Sequence, residues 1–217
     1  GKPMAVMCHG TVGLQHGSMA IYNAYCDRVP VFMLAGNHLD AAMRRPGVEW
    51  AHSVQDAAAM VRDFVKWDDV PHSLQHFAES AVRAYKIAMT PPMMPVLVVL
   101  DGALQEDPIT PDIAAGLRVP SLTVATPPQG DSGAVAEAAQ LLVNAENPVI
   151  VADRAARTSA GIALLVELAE TLQAPVIDRR GRMNFPSRHP LNQTESAGQT
   201  IANADVILGL ELFDFWG

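Results

Sequence analysis

Residues 95–100 read PVLVVL, six apolar positions in a row. A strand with one wet face alternates apolar and polar side chains, because successive side chains point to opposite sides. An uninterrupted apolar run instead predicts a strand covered on both faces, the situation inside a parallel sheet. Similar runs stand at Ala5–Met7, Val29–Leu34, Pro148–Ala152, Pro175–Asp178 and Ala204–Gly209, with a shorter one at Val65–Trp67. Between them lie helix-like segments: Ser18–Tyr25, Val54–Phe64, Leu74–Met89, Ser132–Ala145 with Ser132 as N-cap, and Ser159–Leu172. In Leu74–Met89 the apolar or small residues Phe77, Ala81, Ala84 and Ala88 share one helix face. Alternating strands and helices predict an α/β fold of parallel sheets with right-handed crossovers.

The texture changes after Asp101-Gly102. Residues 103–131 carry Pro108, Pro111, Pro120, Pro127 and Pro128 without a clear period, which predicts a linker. The expected organisation is therefore a domain over 1–102, a linker over 103–131 and a second α/β domain over 132–217. At 217 residues with 49% hydrophobic content, the chain can bury a sizeable core. The formal net charge of -8 argues against nucleic acid or an anionic membrane as partner. No apolar run approaches the roughly 18 residues of a membrane span. A start at Gly1, with no signal peptide visible, is expected for a piece of a longer protein. The two cysteines, Cys8 and Cys26, show no metal or disulfide spacing, which predicts a reduced, cytoplasmic setting.

Six of the seven histidines (His9, His16, His38, His52, His72 and His76) lie in the first block. His9 follows the first strand, at the edge where open α/β sheets bind ligands. Gly10, Gly13 and Gly17 follow, read as a loop in which backbone could approach a ligand; a structural turn is the plainer reading. His38 and His52 flank a loop, 37–53, read as a surface loop or a pocket wall. His72 and His76, four apart, lack an accompanying HExxH glutamate and read as a solvated face, and Asp68-Asp69 reads as a turn. Cys8 points away from His9 and reads as core. Thr158 to Gly161 reads as a helix cap, and the basic run Arg179 to Arg182 as an exposed contact for a nucleotide or a partner. No glycine-rich phosphate fingerprint follows any strand.

The order of segments carries more than any single residue. Residues 1–101 run through a strand, glycines, a helix ending Asn-Ala-Tyr-Cys-Asp-Arg, Val-Pro-Val with a strand, Ala-Gly-Asn, a loop, Val-Lys-Trp, a helix and PVLVVLDG. That order resembles the later part of the pyrimidine-binding domain of thiamine-diphosphate-dependent enzymes, a family including acetolactate synthase, benzoylformate decarboxylase and benzaldehyde lyase. Asn147–Ala152, Ala174–Val176, GRMNFPSRHPLN at 181–192 and Ala204–Gly209 resemble the first part of the family's central domain. The resemblance implies an incomplete thiamine-diphosphate-binding fold plus a Rossmann-like domain, both doubly wound.

By position, His9 falls where benzoylformate decarboxylase has an active-site histidine near the substrate carboxylate. His52, or Gln55 if a short gap is allowed, falls on a glutamine that reaches the active site in relatives. His16 stands where many relatives have asparagine, and with Gly10 and Gly13 it is the implied cofactor-binding set. The implied cofactors are thiamine diphosphate and Mg²⁺, with the activating glutamate and the metal ligands outside this chain. FAD, held by some relatives, is neither supported nor excluded. The implied activity is decarboxylation of a 2-oxo acid, carboligation of the product to a second carbonyl, or both, in a homodimer or homotetramer. The alternative is a non-catalytic homologue that binds a nucleotide or partner through its central domain.

Overall fold

The computed structural model describes residues 2–124, 126, 129–179 and 183–215. The chain divides into two compact units, Gly1–Pro128 and Gln129–Gly217.

In the first unit, β1 (Met4–Cys8), β2 (Val31–Asn37), β3 (Trp67–Asp69) and β4 (Val96–Asp101) form one parallel sheet in the order β1-β2-β4-β3. The apolar run of β4 is covered on both faces as predicted, with Val96 to Val99 at most 1% exposed. Leu97 and Val99 pack with Met33 and Ala35 of β2 against Leu14 and Ile21 of α1 (Gly10–Cys26). Val96 and Val98 turn the other way, onto Ala84 and Ala88 of α3 (Leu74–Met89). The strand's two-residue period thus assigns one helix to each face.

Several local expectations need correction. The glycines after His9 are not a loop, because α1 begins at Gly10 and runs through Gly13 and Gly17. Close packing explains this: a side-chain carbon on Gly10 would sit 2.7 Å from the Gly36 carbonyl oxygen and 3.2 Å from that of His52. Val54–Phe64 is not one helix but two 3₁₀ turns, Ala58–Met60 and Arg62–Phe64, following α2 (Val48–His52). Arg62 binds the carboxylates of both Asp56 and Asp68, while Ala57, Ala58 and Val61 enter the core, so tertiary ties override the alanine-rich composition.

The third strand lies two residues later than expected, and Asp68-Asp69 belongs to it rather than to a turn. Both carboxylates have partners: Asp68 accepts from Arg62, and Asp69 accepts from Ser80 and meets His76. The expected linker contains α4 (Gly102–Glu106) and α5 (Pro111–Gly116), with Pro in the first turn and Thr110 as its cap. Gln75 of α3 exchanges two hydrogen bonds with the backbone of Arg118, which fastens the segment after α5 to the first unit.

In the second unit, β5 (Pro148–Ala152), β6 (Val176–Asp178) and β7 (Val206–Leu210) form a parallel sheet in the order β6-β5-β7. It is accompanied by α6 (Ser132–Asn144), α7 (Ser159–Leu172) and α8 (Ala197–Ala202). Asp131, not Ser132, caps α6 by accepting from the Ala134 amide, whereas Thr158 caps α7 as read from the sequence. Of the basic run, Arg180, Gly181 and Arg182 lie outside the described residues.

The buried Asn184 ties the ends of β5 and β6 together. Its amide donates to the Asp153 carbonyl (2.6 Å) and to the Asp178 carboxylate (2.8 Å), and its oxygen accepts from the Ala156 amide (3.0 Å). Removing it takes a hydrogen-bond partner from three buried polar groups. Asn184→Ala is therefore expected to lower the unfolding free energy of this unit by about 2 kcal/mol. Urea denaturation with an unchanged slope measures this, and an unchanged midpoint would contradict the account.

Candidate functional site

The carboxyl ends of β1, β2 and β4 carry His9, Asn37 and Asp101. This is the sheet edge at which open parallel folds bind ligands. A pocket of about 440 Å³ opens at it, lined by His9, Gly10, Gly36, Asn37, His38, Arg45, Pro46, Val48, Glu49, His52, Gln105 and Glu106. Its size suits a small organic molecule.

Two histidines 43 positions apart meet in this pocket. Nε2 of His9 lies 2.8 Å from Nδ1 of His52, with the rings edge to face and their centroids 4.8 Å apart. Two facing nitrogen lone pairs would repel, so one proton lies on this axis. In the neutral pair, either assignment of that proton leaves one donor and one acceptor on the two outer nitrogens. His9 occupies the N-cap of α1 in extended conformation, yet its side chain makes no capping bond. The imidazole is instead committed to His52.

Residues from the loop and its neighbours hold His52 in place. Thr11 Oγ1 of α1 donates to the His52 carbonyl at 2.7 Å. Ser53 Oγ donates to the Glu49 carbonyl, closing α2, and Asn37 bonds the backbone of Val54. Asp101 accepts from the Leu39 amide at 2.8 Å and fixes the other end of the loop.

Within the same loop, Arg45 joins the buried Glu49 to Glu106 of α4. The Arg45 backbone N–H, burial and then the guanidinium act on Glu49, with the net effect of holding its carboxyl below the usual carboxylate range. Because the folded value is depressed, this contact contributes at neutral pH and is lost as pH falls through that lowered value. Among the described residues, His38, Glu49 and Glu106 have ligand atoms within 4.8 Å of one another, close enough for a metal ion, but the guanidinium already bonds both carboxylates.

The sequence-predicted residues fare unequally. His9, Gly10 and His52 line the pocket together, and the 37–53 loop forms one of its walls. Gln55 and His16 are exposed, and neither they nor Gly13 appear among the described residues lining it. Gly13 instead faces Cys8 and His9, where an added carbon would meet both at 3.2 Å. Cys8 packs against the core as expected, and burial raises its thiol pKa. His76 binds Asp69 through Nε2 and accepts the His72 amide on Nδ1, so both its nitrogens are engaged. Sequence reasoning missed Thr11, Asn37, Arg45, Glu49 and Glu106. Only Asn37, a polar residue closing an apolar strand, gave a signal.

The second unit carries a separate pocket of about 870 Å³ beyond the end of β6, bordered by Asp178, Arg188, Asn192 and Thr194. Among the described residues no helix is long and apolar enough to cross a membrane.

Residues 135–211 match the family model described as thiamine pyrophosphate enzyme, central domain. Benzoylformate decarboxylase of Pseudomonas aeruginosa is 28% identical over 193 residues, covering 87% of this chain and 35% of that protein. Sulfoacetaldehyde acetyltransferase of Rhodobacter capsulatus is 25% identical over 218 residues, covering 97% of this chain and again 35% of the relative. The solved thiamine diphosphate-dependent 4-hydroxybenzoylformate decarboxylase of Rhodococcus jostii superposes with a TM-score of 0.78 at 24% identity, over 94% of this chain and 39% of that one. The chain thus spans about a third of the length of the curated relatives it matches. Residues 135–211 thus match the central domain of thiamine pyrophosphate enzymes, and nearly the whole chain is similar in sequence to benzoylformate decarboxylase and in fold to a thiamine diphosphate-dependent decarboxylase.

Proposed function

We propose that this chain forms the proton-handling wall of an active site that decarboxylates a 2-oxo acid, ligates the product to a second carbonyl, or does both. The observation that carries the proposal is the His9–His52 contact at 2.8 Å, inside a pocket at the strand ends. Thiamine diphosphate, when bound, supplies the electron sink such chemistry needs. The pocket's imidazoles suit a ring or a substrate carbonyl. They do not suit a magnesium diphosphate, because Arg45 is spent on Glu49 and Glu106. The diphosphate and Mg²⁺ ligands are therefore assigned to the rest of the protein.

The work left to these residues is proton transfer. A proton taken up at one outer nitrogen of the pair can be matched by release at the other, with the shared proton shifting across the 2.8 Å axis. Imidazole, with one nitrogen that donates and one that accepts, is the side chain suited to passing a proton in either direction. The 37–53 loop would shield these nitrogens from bulk water on one side. A cytoplasmic homodimer or homotetramer is the setting in which such a wall would meet the other half of the site.

His52→Gln in the full-length protein tests the assignment. The amide can still accept a hydrogen bond from His9 but does not titrate. The ratio of released aldehyde to carboligation product, followed by chromatography on a panel of 2-oxo acids, is expected to shift. An identical ratio would move the role to Gln55 or to neither residue. A full-length protein that converts no 2-oxo acid would favour the non-catalytic alternative.

A further inference from the structure

We infer that Asn37 is a positioning residue that, together with Thr11, sets the His9–His52 contact. The inference rests on the reading above in that it concerns the same histidine pair.

His52 sits at the far end of a loop that leaves the sheet at Asn37 and carries exposed residues over 40–43 and 45–48. A hydrogen bond between two rings tolerates only a few tenths of an ångström of drift. Something must therefore return the loop to a fixed place. Asn37 is 2% exposed, at the carboxyl end of β2. Its Nδ2 donates to the Val54 carbonyl at 2.8 Å, and its Oδ1 accepts from the Val54 amide at 3.2 Å and the His38 amide at 3.1 Å. One rigid side chain thus clamps the first residue of the loop to the residue that closes it.

Thr11 adds the adjoining fixed point, at the His52 carbonyl itself. Gly10 lets that carbonyl come within 3.2 Å of where a side-chain carbon would stand. The backbone is held at 52 and at 54, and the ring projects from the segment so fixed. Asparagine meets this need where aspartate or leucine would not, because the site requires a donor and an acceptor on one planar group. Asn37 ends an inner strand of the sheet and Thr11 is buried in the first turn of α1, so the fixed points move with the rigid core and not with the loop.

Two measurements on the full-length protein test the inference. Exchange of the histidine C2 hydrogens with deuterium, followed residue by residue by mass spectrometry, reads each ring's surroundings without any turnover. In Asn37→Ala, the rates at His9 and His52 are expected to change several-fold toward that of the exposed His16, while His189 in the second unit keeps its rate. Thr11→Val, which removes one hydroxyl, is expected to move the same two histidines by less, and it decides the matter alone if Asn37→Ala does not fold.

The second measurement is a double-mutant cycle on kcat/KM. Asn37→Ala should cost about tenfold in the native background and almost nothing once His52→Gln is present, because a residue acting through His52 has nothing left to position. Unchanged exchange at His9 and His52 in every variant that folds, or a loss of turnover that is just as large with His52→Gln present, would overturn the inference. Altered exchange with unaltered turnover would sustain the positioning role and sink the proton-handling role of the pair, so the two failures are distinguishable.

Discussion

His9→Ala in the full-length protein is expected to lower kcat/KM by about 10²-fold or more, the usual scale for a lost acid–base group. The substitution removes one of the two rings that share the proton between Nε2 of His9 and Nδ1 of His52. It should leave the fold intact, because the His9 side chain caps no α1 amide and the residue is exposed. Circular dichroism and the thermal midpoint check that point. Cofactor affinity should change little, since no contact to a diphosphate is assigned to His9. His9→Gln sharpens the test: it can keep a hydrogen bond to His52 while removing the proton. If turnover falls equally in both variants, the loss belongs to proton transfer. If only the alanine variant falls, His9 serves to hold His52. Unchanged turnover at saturating substrate would leave His9 a strand-end residue with no part in the chemistry.

The parallel sheets were legible from the sequence wherever burial alone decides conformation. PVLVVL has no polar position to turn outward, so it can only be a strand covered twice, and Val96 to Val99 are. Leu74–Met89 was equally clear, since its small residues recur at helical spacing and end on β4. Where tertiary partners decide, the sequence misled. The alanines at 57–59 favour a helix, but Arg62 pairs with carboxylates six positions away on either side, at Asp56 and Asp68, and holds the segment in short turns. Asp68-Asp69 looks like a turn until Arg62, Ser80 and His76 are seen to take both charges.

The glycines after His9 illustrate a third case. Their spacing suggested a loop open to a ligand, whereas Gly10 admits two protein carbonyls to the first turn of a helix. The site itself was half legible. His9 and His52 were singled out by position, but nothing in the sequence placed their rings 2.8 Å apart. That distance depends on loop closure by Asn37 and Thr11, which is a property of the folded chain and leaves no periodic trace. The reach of Arg45 to Glu106 leaves no trace in the sequence for the same reason: it exists only after α4 has docked.

The 217-residue chain by itself is expected to bind thiamine diphosphate no more tightly than millimolar, about 4 kcal/mol of binding free energy. The ligand is an anion, and the chain carries a formal net charge of -8. Within the pocket the guanidinium of Arg45 is already bonded to Glu49 and Glu106, so the three groups together present a net negative charge to a diphosphate. Displacing it would expose two carboxylates to two phosphates, which a divalent cation would have to bridge. Mg²⁺ prefers near-octahedral oxygen ligands and keeps its waters, whereas the cluster here offers one imidazole and two carboxylates. What remains for the cofactor is the ring-sized space beside His9 and His52, with stacking and a few hydrogen bonds. Calorimetric titration with thiamine diphosphate and Mg²⁺, run on this chain and on the full-length protein, measures the difference. At least a thousandfold tighter binding by the full-length protein is the expected result. Micromolar binding by the chain alone would place a phosphate site within these residues and overturn the assignment of that site to the rest of the protein.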